Sequence, residues 1–128
     1  MKKLILLLLF FGSLFNLNAQ EYEYIKILLP QDYKEAISGN DVQLVDVRTA
    51  AEFNEGHIQN AINIDYSKEY LFTEAFEKLD IGSPVYLYCR SGNRSQKAAA
   101  KLIEMGFEEI YDLRGGYVVW KLSGYGKY

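Results

Sequence analysis

Apolar and polar positions follow two different periods along this chain. Four short runs are almost continuously apolar: VQLVDV at 42–47, AINI at 61–64, PVYLYC at 84–89 and EEIYDL at 108–113. Such runs predict strands buried on both faces. YEYIKIL at 22–28 alternates instead, as an edge strand does. The segments between them carry helical spacing. Pro30 opens a helix that continues to Ser38 and stops at Gly39. Thr49 predicts an N-cap, and Glu52 three residues on completes a capping box. Apolar residues at 71, 72, 75, 76 and 79 predict a helix over 70–79. Ala98, Ala99, Leu102 and Ile103 form one stripe of a helix over 95–105, which Gly106 ends. YVVWKL forms a last short helix after Gly115 and Gly116.

Strands that alternate with helices and read as apolar on both faces predict an α/β fold with a parallel sheet covered by helices. In such sheets ligands bind beyond the carboxyl ends of the strands. Cys89 stands at that end of its strand, a few residues before the next helix, where its sulfur is expected to face an anion.

The N-terminus does not fit the fold. Residues 1–20 open with Lys2 and Lys3, continue with an apolar block from Leu4 to Phe11 and close on NLNAQ. This is the layout of a cleaved signal peptide, with the cut expected near Ala19 or Gln20. Gly12, Ser13 and Asn16 interrupt the apolar stretch, which falls short of the ~20 residues that span a bilayer. The expectation is one domain at 21–128, exported to the periplasm and without a membrane contact after cleavage. Losing Lys2 and Lys3 takes the formal charge from −3 to −5. An acidic domain argues against nucleic acid as a partner. One cysteine, Cys89, cannot form an internal disulfide, and with one histidine it offers no metal site. No cofactor is expected.

The surroundings of Cys89 are more telling. YLYCRSGNRS carries Arg90, Ser91, Gly92, Asn93, Arg94 and Ser95 directly after the strand. Between Asp80 and Glu104 no residue is acidic, while Arg90, Arg94, Lys97 and Lys101 are cationic. A hundredfold shift of a thiol toward its thiolate needs about 2.7 kcal/mol. Hydrogen bonds to a charged acceptor supply ~1.5–3 kcal/mol each. A loop that curls its amides inward can meet that need, and Gly92 permits the positive φ of such a curl. Arg90 and Arg94 are expected at the anion, Lys97 and Lys101 on the solvated face of the helix. His57 sits on another connection and is expected to hydrogen-bond structurally. The tyrosines and Trp120 are assigned to core and rim.

Three motifs resemble the rhodanese-like domains: LVDVRTAAEFNEGHIQNAINI at 44–64, YLYCRSGNRS at 86–95 and LRGGYVVW at 113–120. The match departs at Asn60, where that family more often has glycine. The resemblance implies a five-stranded parallel sheet with helices on both faces. It implies that Cys89 takes a sulfane sulfur from a small anionic donor such as thiosulfate and passes it to cyanide, a thiol or a protein acceptor. Residues 90–95 would then hold the persulfide and the donor. Asp46 and Arg48 would buttress the loop through an ion pair, with Arg48 reaching the site as the alternative.

Two rival functions use the same loop. Cysteine phosphatases and arsenate reductases place five residues between cysteine and arginine. Here Cys89 and Arg94 have four between them, which makes a tighter ring. A persulfide carrier or sulfide-binding module would hold one sulfur without turnover.

Overall fold

The computed structural model describes residues 23–126, so the leader expected at 1–20 lies outside the described residues. Five strands form one parallel sheet: β1 (Ile25–Leu28), β2 (Gln43–Asp46), β3 (Ile62–Asn63), β4 (Val85–Tyr88) and β5 (Ile110–Leu113). Their order across the sheet is β1-β5-β4-β2-β3. Five helices connect and cover them: α1 (Pro30–Ile37), α2 (Ala50–Glu55), α3 (Glu69–Glu77), α4 (Asn93–Glu104) and α5 (Gly116–Leu122). Each expected strand and helix is present, with ends displaced by at most three residues. Propensity locates an element, while its ends depend on hydrogen bonds that the sequence pattern does not show.

Successive residues of a strand face opposite sides, so β4 feeds two cores. Val85, Leu87 and Cys89 face a layer built from Phe72 and Phe76 of α3 and Ala98, Ala99 and Leu102 of α4. Tyr86 and Tyr88 face the other layer, with Tyr33 of α1 and Tyr117 and Trp120 of α5. All four β4 residues are buried, as expected of a central strand. Leu71 departs from its helical stripe and is exposed, while Phe72 and Phe76 are buried and Ala75 and Leu79 pack beside them.

The chain leaves β2 outward to β3 and returns past it to β4. The topological switch therefore falls between β2 and β4, where α/β sheets open a crevice at their carboxyl edge. Asp46 pairs with Tyr88 in register, which sets the start of the Arg48 segment beside the start of the Cys89 loop. Asn60 has φ 70°, the left-handed region that glycine enters freely and asparagine tolerates.

Candidate active site

The Cys89 loop is shaped from both ends. At its start, the first turn of α5 holds the loop backbone: the Tyr117 amide donates to the Cys89 carbonyl at 2.9 Å and the Val118 amide to the Arg90 carbonyl at 3.1 Å. Gly116 makes this contact possible. Gly116 has φ 63°, and a Cβ there would lie 2.5 Å from the Arg90 carbonyl oxygen. At its end, Gly92 at φ 111° turns the chain into α4. With its carbonyls drawn outward, the loop can present amides to the sulfur.

Among the described residues, two groups bond the sulfur. The Gly92 amide donates to Cys89 Sγ at 3.0 Å, and Ser95 Oγ lies 3.4 Å away as acceptor of the thiol proton. Ser95 Oγ also donates to the Gly92 carbonyl at 3.2 Å, which ties both sulfur partners together. Cys89 is only 1% exposed, deeper than expected of a sulfur that faces an anion at the carboxyl end of its strand. Its strand brings it onto the α4 side of the sheet, where Ala98 and Ala99 belong to the same buried layer.

The six loop residues divide by position. Arg90, Ser91 and Asn93 are exposed, Gly92 and Arg94 are half-buried, and Ser95 is fully buried. Arg90 lines a cavity of about 740 Å³ together with Arg48, Glu52, Tyr117, Val118 and Lys121. Arg94 points elsewhere: its two terminal nitrogens meet the Glu52 carboxylate at 2.6 and 2.9 Å. That guanidinium holds the Glu52 carboxyl well down, to about 2, with the Thr49 cap adding to the effect. The capping box at Thr49 and Glu52 forms as the sequence predicts.

Asp46 and Arg48 form a buried ion pair. Arg48 Nη2 lies 2.6 Å from Asp46 Oδ2, and Nε bonds both carboxylate oxygens at 3.0 Å. Arg48 Nη2 also donates to the Gly56 carbonyl at 2.8 Å, and the guanidinium carbon lies 4.4 Å from the Tyr117 ring centroid. One side chain thus ties β2, the end of α2 and the start of α5 together while still lining the cavity. His57 stacks on Phe53 at 3.7 Å, with Nδ1 2.9 Å from the Phe53 carbonyl. Lys97 is exposed, and Lys101 reaches toward Glu69 at 3.8 Å.

The sequence did not mark Glu52 as a partner of Arg94. The two are 42 residues apart, and capping already accounted for the glutamate. Tyr117, Val118 and Lys121 of the cavity carried no signal beyond closeness to the paired glycines.

This loop, clasped by a double-glycine helix start at the switch point of a parallel sheet, agrees with what comparison with known proteins finds. Residues 29–123 match the rhodanese-like domain family. The chain belongs to that family. Over 87 residues it is 39% identical to the thiosulfate sulfurtransferase GlpE of Coxiella burnetii, covering 68% of this chain and 78% of that protein. It is 33% identical over 95 residues to the protein of the same name from Pseudomonas fluorescens, covering 74% of this chain and 84% of that protein. Among solved structures, a rhodanese-related protein from Thermoplasma volcanium superposes with a TM-score of 0.70 at 30% identity, covering 80% of this chain and 97% of its own.

Proposed function

We propose that this rhodanese-like domain is a sulfurtransferase that takes the outer sulfur of thiosulfate onto Cys89 and passes it to a thiophilic acceptor, cyanide or a thiol. The observation that carries this is the Cys89 sulfur in its loop, with the Gly92 amide at 3.0 Å and the Ser95 hydroxyl at 3.4 Å. The likeness to thiosulfate sulfurtransferases supports it.

The Cys89 thiolate attacks the outer sulfur of thiosulfate. The sulfur–sulfur bond breaks, its electron pair leaves with sulfite, and a persulfide anion remains on Cys89. In the second half the acceptor attacks the outer sulfur, and the cysteine thiolate is the leaving group. With cyanide the product is thiocyanate. Arg90, Arg48 and Lys121 line the cavity together with Glu52 and Glu55, and Arg90, as the cation of the loop itself, would receive the donor. Arg94, engaged by Glu52, acts on the loop's field while its hydrogen bonds hold α2 to α4. The leader expected at residues 1–20 adds the proposal that the domain works in the periplasm.

The test is intact mass spectrometry after thiosulfate, followed by cyanide. A gain of about 32 Da, one sulfur atom retained as a persulfide, is expected on wild type and is removed by cyanide with release of thiocyanate. Cys89→Ser should gain nothing and yield no thiocyanate. Thiocyanate production at wild-type rate by that variant would overturn the assignment. A stoichiometric adduct without turnover would point to a carrier.

A further inference from the structure

Ser95 stands between two groups, of which sulfur chemistry has so far used one. Its Oγ lies 3.4 Å from Cys89 Sγ and donates to the Gly92 carbonyl at 3.2 Å, while the buried Asp112 carboxyl lies on the same face of the sheet. The sheet register explains the meeting. Asp112 lies opposite Leu87, two residues before Cys89, and residues two apart share a face. Ile110, Leu87 and Cys89 all pack in the layer beneath α4, so Asp112 lies beneath that helix too, near its third residue, Ser95.

Asp112 is only 1% exposed, its Oδ1 has no hydrogen-bond partner, and it is in no salt bridge among the described residues. A bare buried carboxyl weakens a fold, and an apolar side chain would serve packing better. The groups facing it are few. Helix α4 brings Ser95, while its Arg94 is turned to Glu52. Strand β4 and its loop bring Cys89. Helix α1 brings Tyr33 from across the sheet, its phenol donating to the Leu87 carbonyl at 3.0 Å. Strand β1 pairs Ile27 with Asp112 and adds only Ile25 and Ile27 on that side. Burial pushes the Asp112 carboxyl up to about 7, against the opposing pull of the Ser95 hydroxyl and the Leu113 amide.

We propose that Asp112 is a positioning residue for sulfur chemistry at Cys89, acting through the Ser95 hydroxyl. The proposal rests on the persulfide mechanism above. When Asp112 is protonated, its O–H donates to Ser95 Oγ, and Ser95 O–H donates to the sulfur anion. When Asp112 is ionised, Ser95 O–H turns from the Gly92 carbonyl to the carboxylate, and the Cys89 thiol donates to Ser95 Oγ. The two arrangements hold the same protons and the same single negative charge. They differ in whether sulfur or carboxylate carries it. Removing the remaining proton leaves two anions separated by one hydroxyl, which is disfavoured, so the pair titrates as a unit.

The test is the rate of Cys89 alkylation by iodoacetamide between pH 5 and 9, read by mass on the full chain for wild type, Asp112→Asn and Ser95→Ala. The wild-type rate should match Asp112→Asn near pH 5 and fall to about a tenth of it above pH 7, the size of one pKa unit of coupling. Ser95→Ala should flatten that pH dependence while retaining Asp112. A wild-type to Asp112→Asn ratio that is constant across pH overturns the proposal. A second measurement needs no variant. The carboxyl ¹³C resonance of Asp112 in labelled wild type should titrate at a different pH once Cys89 is carbamidomethylated, and an unmoved titration overturns the coupling. Alkylation does not depend on sulfur transfer. If thiosulfate deposits no sulfur while the ratio still falls with pH, the sulfurtransferase assignment fails and the coupling stands.

Discussion

Two buried aspartates flank the strand that delivers the cysteine, one on each side, and the protein treats them in opposite ways. Asp46 on β2 and Asp112 on β5 are 0% and 1% exposed, and both strands pair directly with β4. Asp46 has both oxygens taken by Arg48, and its Oδ1 also accepts the Arg48 amide at 2.9 Å. Among the described residues Asp112 forms no salt bridge and keeps one oxygen without a partner. A charge that is met on all sides fixes backbone in place. A carboxyl that is met on one side keeps a proton to move. The first device sits on the α5 face, where the loop is clasped. The second sits on the α4 face, where the sulfur lies.

Removing the cation should produce the largest effect on stability. Arg48→Ala leaves the Asp46 charge buried and unpaired, and breaking such a pair costs about 3–5 kcal/mol. Urea unfolding at pH 7 should show that loss, and Asp46→Asn combined with Arg48→Met should recover much of it. A loss under ~1 kcal/mol in Arg48→Ala would mean that the pair adds nothing beyond a surface bridge. Asp112 should show a smaller effect of a different kind. Burial pushes its carboxyl up to about 7, from the 3.8 of an ordinary aspartate. The folded state therefore holds its proton after the unfolded state has released it, so stability declines as pH rises between those values. From pH 5 to pH 7 wild type should lose about 2 kcal/mol relative to Asp112→Asn. Parallel stability curves for the two proteins would show that Asp112 is ionised throughout.

The contrast also shows what the sequence could and could not reveal. The sheet was legible because VYLY and QLVD are apolar enough to be strands with two buried faces. Cys89 was legible because a single thiol followed by two arginines and a glycine has few other uses, and Asp46 with Arg48 was legible from the resemblance. Asp112 was not. EEIYDL places it among three other ionisable side chains, and only the β4–β5 register shows that it shares the cysteine's face. The depth of Cys89 was hidden for the same reason, since the burial comes from α4 packing across the sheet. Arg94 looked free to hold an anion because its partner, Glu52, lies 42 residues upstream and already had a local explanation as a capping residue.

Glu52 supplies the third acid and the smallest expected effect. Arg94 holds its carboxyl down at about 2, below the 4.5 of an ordinary glutamate, so its contribution runs opposite in sign to that of Asp112. The stability is present above the unfolded value and fades as pH falls through about 2. Both partners keep about 30% of their side-chain surface in solvent (32% and 29%), which screens the interaction to the order of 1 kcal/mol. Glu52→Gln should therefore cost about 1 kcal/mol at pH 7 and converge with wild type in acid unfolding near pH 2. The same variant releases the Arg94 guanidinium beside the loop, so the KM for thiosulfate should fall while kcat holds. An unchanged KM would place Arg94 among the fold's ties and leave Arg90 as the loop's cation for the donor. Glu52 would then tie α2 to α4, as Asp46 and Arg48 tie β2 to α5, and Asp112 would be the one of these three acids not used to hold elements together.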